Sequence, residues 1–226
     1  MRMRRKKHLD ERLADCTARF IDMRVEDVRF DKEGESHHLD LATLFGNDNP
    51  VELEIGCGKG GFICQLAARH PEVNFLAVEK YANVLVTACE AAEAQGLTNI
   101  RFLWGDAEYL PRFIPAGCIR RLYLNFSTPF PKKRQATHRL THPHFLTMYK
   151  GLLAPEATVI QKTDGRVFFQ YSLESFSQTG YTLTAVSLDL HADGIEGNIV
   201  TEYEQKFIDQ GLPIYRVEAR VQREDT

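Results

Sequence analysis

The 226-residue chain carries 28 lysines and arginines against 31 aspartates and glutamates, with 43% hydrophobic residues. That balance excludes a disordered chain, and at this length a core can form without disulfide staples. The longest apolar run is Phe75 to Val78, which excludes a membrane-spanning helix. Cys16, Cys57, Cys64, Cys89 and Cys118 form no CxxC pair, as expected of reduced thiols in a cytoplasmic protein.

Residues 1–49 are polar. They begin with the basic stretch Arg2–Lys7, which leads into Leu9-Asp10-Glu11-Arg12 and not into the apolar core of a signal peptide. His37-His38 and the turn-like Gly46-Asn47-Asp48-Asn49-Pro50 follow, and the whole reads as a basic and polar N-terminal arm before a domain over 50–226. From Val51 the pattern alternates. Strands are expected at Val51–Ile55, Asn74–Glu79, Ile100–Trp104, Ile119–Asn125, Ala157–Thr163, Tyr181–Leu190 and Pro213–Arg220. Helices are expected at Phe62–Arg69, Ala82–Gln95, near Ala107, and at His144–Leu153, Val167–Gln178 and Thr201–Gln210. The fold class is therefore α/β and Rossmann-like: a seven-stranded, mainly parallel sheet with helices on both faces. In such folds ligands sit beyond the carboxyl ends of the strands, so the loops just after strands are where chemistry is sought.

The first such loop is Glu54-Ile55-Gly56-Cys57-Gly58-Lys59-Gly60-Gly61. Gly56 and Gly58 permit a tight turn and close backbone approach to a ligand, although plain strand-to-helix turns use glycine too. Glu79 ends the second strand, where a carboxylate can accept from ribose hydroxyls. Asp106 follows the third strand, as an acceptor for an adenine amino group, as a helix N-cap, or as both. A pyrophosphate at the glycine loop would meet Glu54, whereas the cationic methionine portion of S-adenosylmethionine suits a carboxylate there. S-adenosylmethionine is thus favoured over NAD.

The loop after the fourth strand reads Asn125-Phe126-Ser127-Thr128-Pro129-Phe130-Pro131-Lys132-Lys133-Arg134. Its prolines stiffen it, and Phe126 or Phe130 is able to stack on a base, with core packing as the alternative. Between Tyr109 and Pro155 stand eight basic residues and no acidic one, in a chain of net charge −3. One basic segment in an acidic protein suggests a polyanion gripped at one place, or a solvated face.

These loops, together with Thr201-Glu202-Tyr203-Glu204-x-Lys206-Phe207 and the closing Gly211-Leu212-Pro213-Ile214-Tyr215-Arg216, resemble the bacterial tRNA (guanine-N7)-methyltransferases over about Val51 to Arg220. The resemblance implies a class I fold with an antiparallel end, S-adenosylmethionine as cofactor and tRNA as partner. It implies cofactor binding by Glu54, Gly56, Gly58, Glu79, Asp106 and Thr128. It implies substrate contacts from Lys132, Asp164, Thr201, Glu202, Tyr203 and Glu204, and RNA contacts from Lys133, Arg134 and Arg139. The family usually has Asp-Pro-Trp-Pro where this chain has Thr128-Pro129-Phe130-Pro131, and that Asp is assigned to catalysis and cofactor contact.

Guanine N7 carries a lone pair and no proton, so its methylation needs alignment and stabilisation of a developing cation more than a general base. Thr128 keeps an acceptor but loses a charge, so the expectation is a slower transferase or one in which Asp164 supplies the carboxylate. The alternative is a catalytically impaired protein that binds tRNA and S-adenosylmethionine. A small-molecule methyltransferase is a further alternative, and it predicts no salt-sensitive RNA binding. His138, His142 and His144 lack neighbouring Cys or acidic residues, so no metal is expected. Cys57 reads as a small packed side chain, not a nucleophile. No membrane and no obligate protein partner are inferred.

Overall fold

The computed structural model describes residues 6–24 and 36–222. The chain forms two compact units, Met1–Pro115 and Ala116–Thr226.

In the first unit the strands are β1 (Phe20–Asp22), β2 (Val51–Ile55), β3 (Asn74–Glu79) and β4 (Ile100–Trp104). They lie in the order β1-β4-β3-β2, all parallel. Every residue of β2 and β3 is buried, which is why Phe75–Val78 is a continuous apolar run and not an alternating one. The helices are α1 (Leu9–Asp15), α2 (Leu41–Phe45), α3 (Gly61–Arg69), α4 (Ala82–Ala94) and α5 (Leu110–Phe113). A 3₁₀ turn, Ala107–Tyr109, runs directly into α5.

The segment read as an arm contains regular elements of this unit. On α1, Leu9 and Leu13 pack against Val86 of α4, with Phe20 and Trp104 beside them. Arg12 donates from Nε and Nη2 to the two carboxylate oxygens of Glu90, both at 2.6 Å. Lys6 N–H donates to Asn83 Oδ1 at 3.0 Å. The earlier part of the basic stretch, Arg2–Arg5, lies outside the described residues.

The second unit holds β5 (Ile119–Asn125), α6 (Pro143–Leu152), β6 (Leu153–Thr163), α7 (Arg166–Gln178), β7 (Tyr181–Ser187), α8 (Glu202–Ile208) and β8 (Tyr215–Val221). The strand order is β5-β6-β8-β7. β5 and β6 are parallel, while β8 runs antiparallel to both β6 and β7, as the resemblance implied. A buried hydroxyl and amide cluster ties this unit together: Thr141 Oγ1 and Ser172 Oγ lie 2.8 Å apart, and Gln161 Nε2 donates to Ser172 Oγ at 3.0 Å. Tyr181 donates its hydroxyl hydrogen to Leu146 O at 2.7 Å, joining the start of β7 to α6.

Two sequence expectations need correction. Among the described residues there are eight strands and not seven. The additional one, β1, has only three residues, too few to show a period of two, and it forms by pairing with β4. β6 begins at Leu153 and not at Ala157. Its pairing with β5 jumps from Ile119–Leu153 to Arg121–Thr158, and Glu156 sits at φ 61°. Pro155 lacks an N–H for the ladder and is carried in this bulge, so the strand reads from the sequence as starting after it. No helix among the described residues is long and apolar enough to cross a membrane.

Candidate functional site

Within the first unit, the carboxyl ends of β2, β3 and β4 carry the glycine loop, Glu79 and Asp106. Gly56, Gly58 and Gly60 have φ of 81°, 58° and 80°, a region L-residues avoid. A Cβ on Gly56 or Gly58 would meet nothing within 4 Å, so at these two positions the requirement is conformational and the space beside the backbone is open. At Gly60 the requirement is packing as well, because a Cβ there would lie 3.0 Å from Ala88 Cβ. The N–H groups of Gly56 and Cys57 both donate to Val78 O, at 2.9 and 3.0 Å, fastening the loop to β3.

Glu79 completes this fastening. Its Oε2 accepts from Gly58 N–H at 3.1 Å and its Oε1 from Tyr81 N–H at 2.8 Å. Burial pushes its carboxyl above the ordinary glutamate range, against the pull of the N–H groups of Tyr81, Gly58 and Lys80. Glu54, 2% exposed, is a second buried carboxylate in the same region. Burial, with the Glu54 and Glu79 charges adding to it, drives the Cys57 thiol well up, so it stays protonated and unreactive. Asp106 caps the 3₁₀ turn, accepting from Glu108 N–H at 3.3 Å, and it pairs with Lys80 Nζ.

Within the second unit, the loop after β5 is held by side chains. Phe126 and Phe130 have φ of 49° and 41°, strained for residues with a Cβ. Phe126 N–H donates to Lys162 O at 2.8 Å. Arg139 donates from Nε to Pro129 O at 2.9 Å and from Nη2 to Phe130 O at 3.0 Å, while its guanidinium lies 4.2 Å from the Tyr171 ring centroid. Ser127 Oγ is buried and has no hydrogen-bond partner among the described residues, a state that a polar ligand atom would relieve.

Beside that loop, Tyr203 lies with its ring centroid 4.9 Å from that of Phe126, and its hydroxyl donates to Asp164 Oδ1 at 3.4 Å. Partial burial raises the Tyr203 pKa and the Asp164 carboxylate raises it further, so the phenol keeps its proton. Asp164, Tyr203 and Phe126 therefore make one aromatic and acidic cluster from three separate segments. Thr201 caps α8 by accepting from Glu204 N–H at 3.1 Å.

A family model for putative methyltransferases matches residues 48–217. A tRNA (guanine-N(7)-)-methyltransferase of Listeria monocytogenes serotype 4b (strain F2365) is 44% identical over 223 residues, 99% of this chain and 100% of that protein. The chain belongs to the tRNA (guanine-N7)-methyltransferase family. A relative of the same name from Bacillus subtilis (strain 168) is 47% identical over 176 residues, 78% of this chain and 83% of that one. Among solved structures, the 16S rRNA methyltransferase KamB superposes with a TM-score of 0.61 at 15% identity, covering 81% of this chain and 93% of that chain. At this identity the likeness bears on fold alone, and the fold is that of class I methyltransferases.

The family's site residues expected from the sequence fall into distinct settings. Glu54, Gly56, Gly58, Glu79 and Asp106 come together at the strand ends of the first unit. In the second unit Asp164 and Tyr203 are in contact, with Thr201 at the head of the same helix, and Glu202, Thr128, Lys132, Lys133 and Arg134 are exposed. Glu204 is fully buried, 2.8 Å from Lys162 Nζ, and Arg139 braces the proline-rich loop. The sequence reading missed Lys162, Asn198 and His191. Lys162 did carry a signal, a charged residue inside an apolar strand. Asn198 and His191 lie in a segment with no periodic pattern.

Proposed function

We propose that this protein transfers the methyl group of S-adenosylmethionine to N7 of a variable-loop guanosine in tRNA, and that it works in the cytoplasm. The observation that carries the reading is the 44% identity to a tRNA (guanine-N(7)-)-methyltransferase across 99% of this chain. The first unit supports it, because the residues present fit the donor: open backbone at Gly56 and Gly58, with two buried carboxylates suited to a cationic ligand.

When bound, S-adenosylmethionine supplies an electrophilic methyl group on a sulfonium that leaves as a neutral thioether. Glu54, Gly56, Gly58, Glu79 and Asp106 hold it, with Glu79 keeping the glycine loop in its turn through Gly58 N–H. Phe126 and Tyr203 offer aromatic faces to the target base, and Ser127 Oγ offers a hydroxyl to one of its polar edges. Asp164 orients the base and stabilises the positive charge it acquires, since N7 has no proton to remove. Thr128 contributes a hydroxyl on the exposed loop, and Lys132, Lys133 and Arg134 meet phosphates, which gives binding that weakens with salt.

The test is transfer of labelled methyl from S-adenosylmethionine to unmodified tRNA, with mapping of N7-methylguanosine, for wild type and Thr128→Asp. Variable-loop methylation by the wild type is expected. No transfer by either protein, with the donor still bound, would sink the reading.

A further inference from the structure

Between the end of β7 at Ser187 and the start of α8 at Glu202 the chain has no regular structure, yet Leu190 and Ile199 within it are buried. Long irregular segments of this kind need explicit anchors. The anchor here is Lys162, 3% exposed in its side chain, on β6. Its ammonium has three N–H donors. They meet three acceptors: Glu204 Oε2 at 2.8 Å, Ile199 O at 3.0 Å and Asn198 Oδ1 at 3.1 Å. Glu204 Oε1 accepts from Asn198 Nδ2 at 2.7 Å and lies 3.3 Å from His191 Nε2. Lys162, Asn198 and Glu204 thus close a ring of buried hydrogen bonds, with His191 at its edge.

A buried ion pair is poor evidence of net stability, because desolvation offsets the attraction and an apolar pair of the same shape can serve as well. What this ring supplies is direction. Three of the contacts hold Asn198, Ile199 and Glu204, and between Ile199 and Glu204 lie Val200, Thr201, Glu202 and Tyr203. Lys162 also reaches the loop after β5, with Nζ 5.8 Å from the Phe126 ring centroid, and its carbonyl accepts from Phe126 N–H. One residue therefore touches both segments that carry the ring faces.

We propose that Lys162 is a positioning residue for the target nucleoside, acting through Glu204 and Ile199 to set the 198–204 segment and the Tyr203 ring. This rests on the reading of Thr201–Tyr203 as the substrate-contacting segment. Glu204, fully buried, then acts as the other half of the pin and not as a direct ligand of the base.

The test uses the full chain with unmodified tRNA and compares Lys162→Met, Glu204→Gln and the double variant Lys162→Met/Glu204→Met. For Lys162→Met the expected result is a fall in kcat of about tenfold or more, since small misplacements of a reacting group are costly. The Kd for S-adenosylmethionine should stay within about twofold, because the three acceptors of the Lys162 ammonium all lie in the 198–204 segment. Glu204→Gln leaves the buried Lys162 charge unmatched and takes an acceptor from Asn198 Nδ2, so kcat and Tm should fall together. The double variant removes both buried charges, so it should regain thermal stability while kcat stays low. That separates positioning from a structural role, in which activity would return along with Tm. Wild-type kcat in Lys162→Met or in the double variant would overturn the proposal. If the wild type itself forms no N7-methylguanosine, the underlying reading fails first and takes the proposal with it.

Discussion

The glycine loop of the first unit and the loop after β5 in the second both sit at the carboxyl end of a parallel strand, yet they are held in opposite ways. The first is shaped by backbone. Three glycines occupy positive φ, two amides converge on Val78 O, and one carboxylate, Glu79, clasps the amides on either side of its strand end. The second is shaped by side chains. Two phenylalanines are kept at positive φ by an arginine brace and a main-chain bond to β6, and the neighbouring segment is pinned by a buried lysine. A loop made of backbone presents the same surface whatever its neighbours, which suits a cofactor. A loop made of side chains can be retuned residue by residue, and here it reads Thr128-Pro129-Phe130-Pro131.

The contrast can be broken most sharply at Glu79. Glu79→Ala strips the acceptor from the part-buried N–H groups of Gly58 and Tyr81, and losing both hydrogen bonds costs about 1–3 kcal/mol. Chemical denaturation should show this loss, and a change within experimental error would mean that the backbone holds the loop without its clasp. Arg139→Gln comes next. It removes two hydrogen bonds to Pro129 O and Phe130 O and a contact with the Tyr171 ring, so a loss of about 1–2 kcal/mol is expected. Its signature is a drop in kcat at unchanged affinity for the donor. A defect confined to tRNA affinity would instead make Arg139 an RNA contact and not a brace.

The smallest effect lies in the docking of α1. Arg12 holds the Glu90 carboxyl below the ordinary glutamate range, first by its hydrogen bond and then by its charge. A depressed folded-state pKa means stability that is present above the unfolded value and lost as pH falls through the folded one. For a pair this exposed the amount is under about 1 kcal/mol. Thermal melts of wild type and Glu90→Gln should therefore differ at neutral pH and converge only below the ordinary glutamate range. A difference that persists at the acid end would contradict the assignment.

How far the sequence foretold these features follows from the same contrast. Glycine spacing after a short strand is visible locally, so the loop at Gly56–Gly61, the strand β3 with its terminal Glu79 and the helix α4 were legible. The fold class followed from their alternation. The three-residue β1 was not legible, because its only reason to be extended is the partner β4. Nor was the pin. Lys162 and Glu204 are 42 positions apart, and nothing in the local pattern of either names the other. The resemblance implies Tyr203 and Asp164 as separate substrate contacts, but the contacts of Tyr203 with Asp164 and with Phe126 come from the packing alone.

The most direct test of the division between the two regions is to measure, for Gly58→Ala and Asp164→Asn, both the Kd for S-adenosylmethionine and the single-turnover rate of methyl transfer to unmodified tRNA at saturating donor. Gly58→Ala puts a Cβ at φ 58°, a strain of about 1–2 kcal/mol, and should weaken donor binding about tenfold or more while leaving the saturated rate nearly unchanged. Asp164→Asn should bind the donor as the wild type does and transfer the methyl group about a hundredfold more slowly. Wild-type donor affinity in Gly58→Ala, or a wild-type transfer rate in Asp164→Asn, would contradict the account.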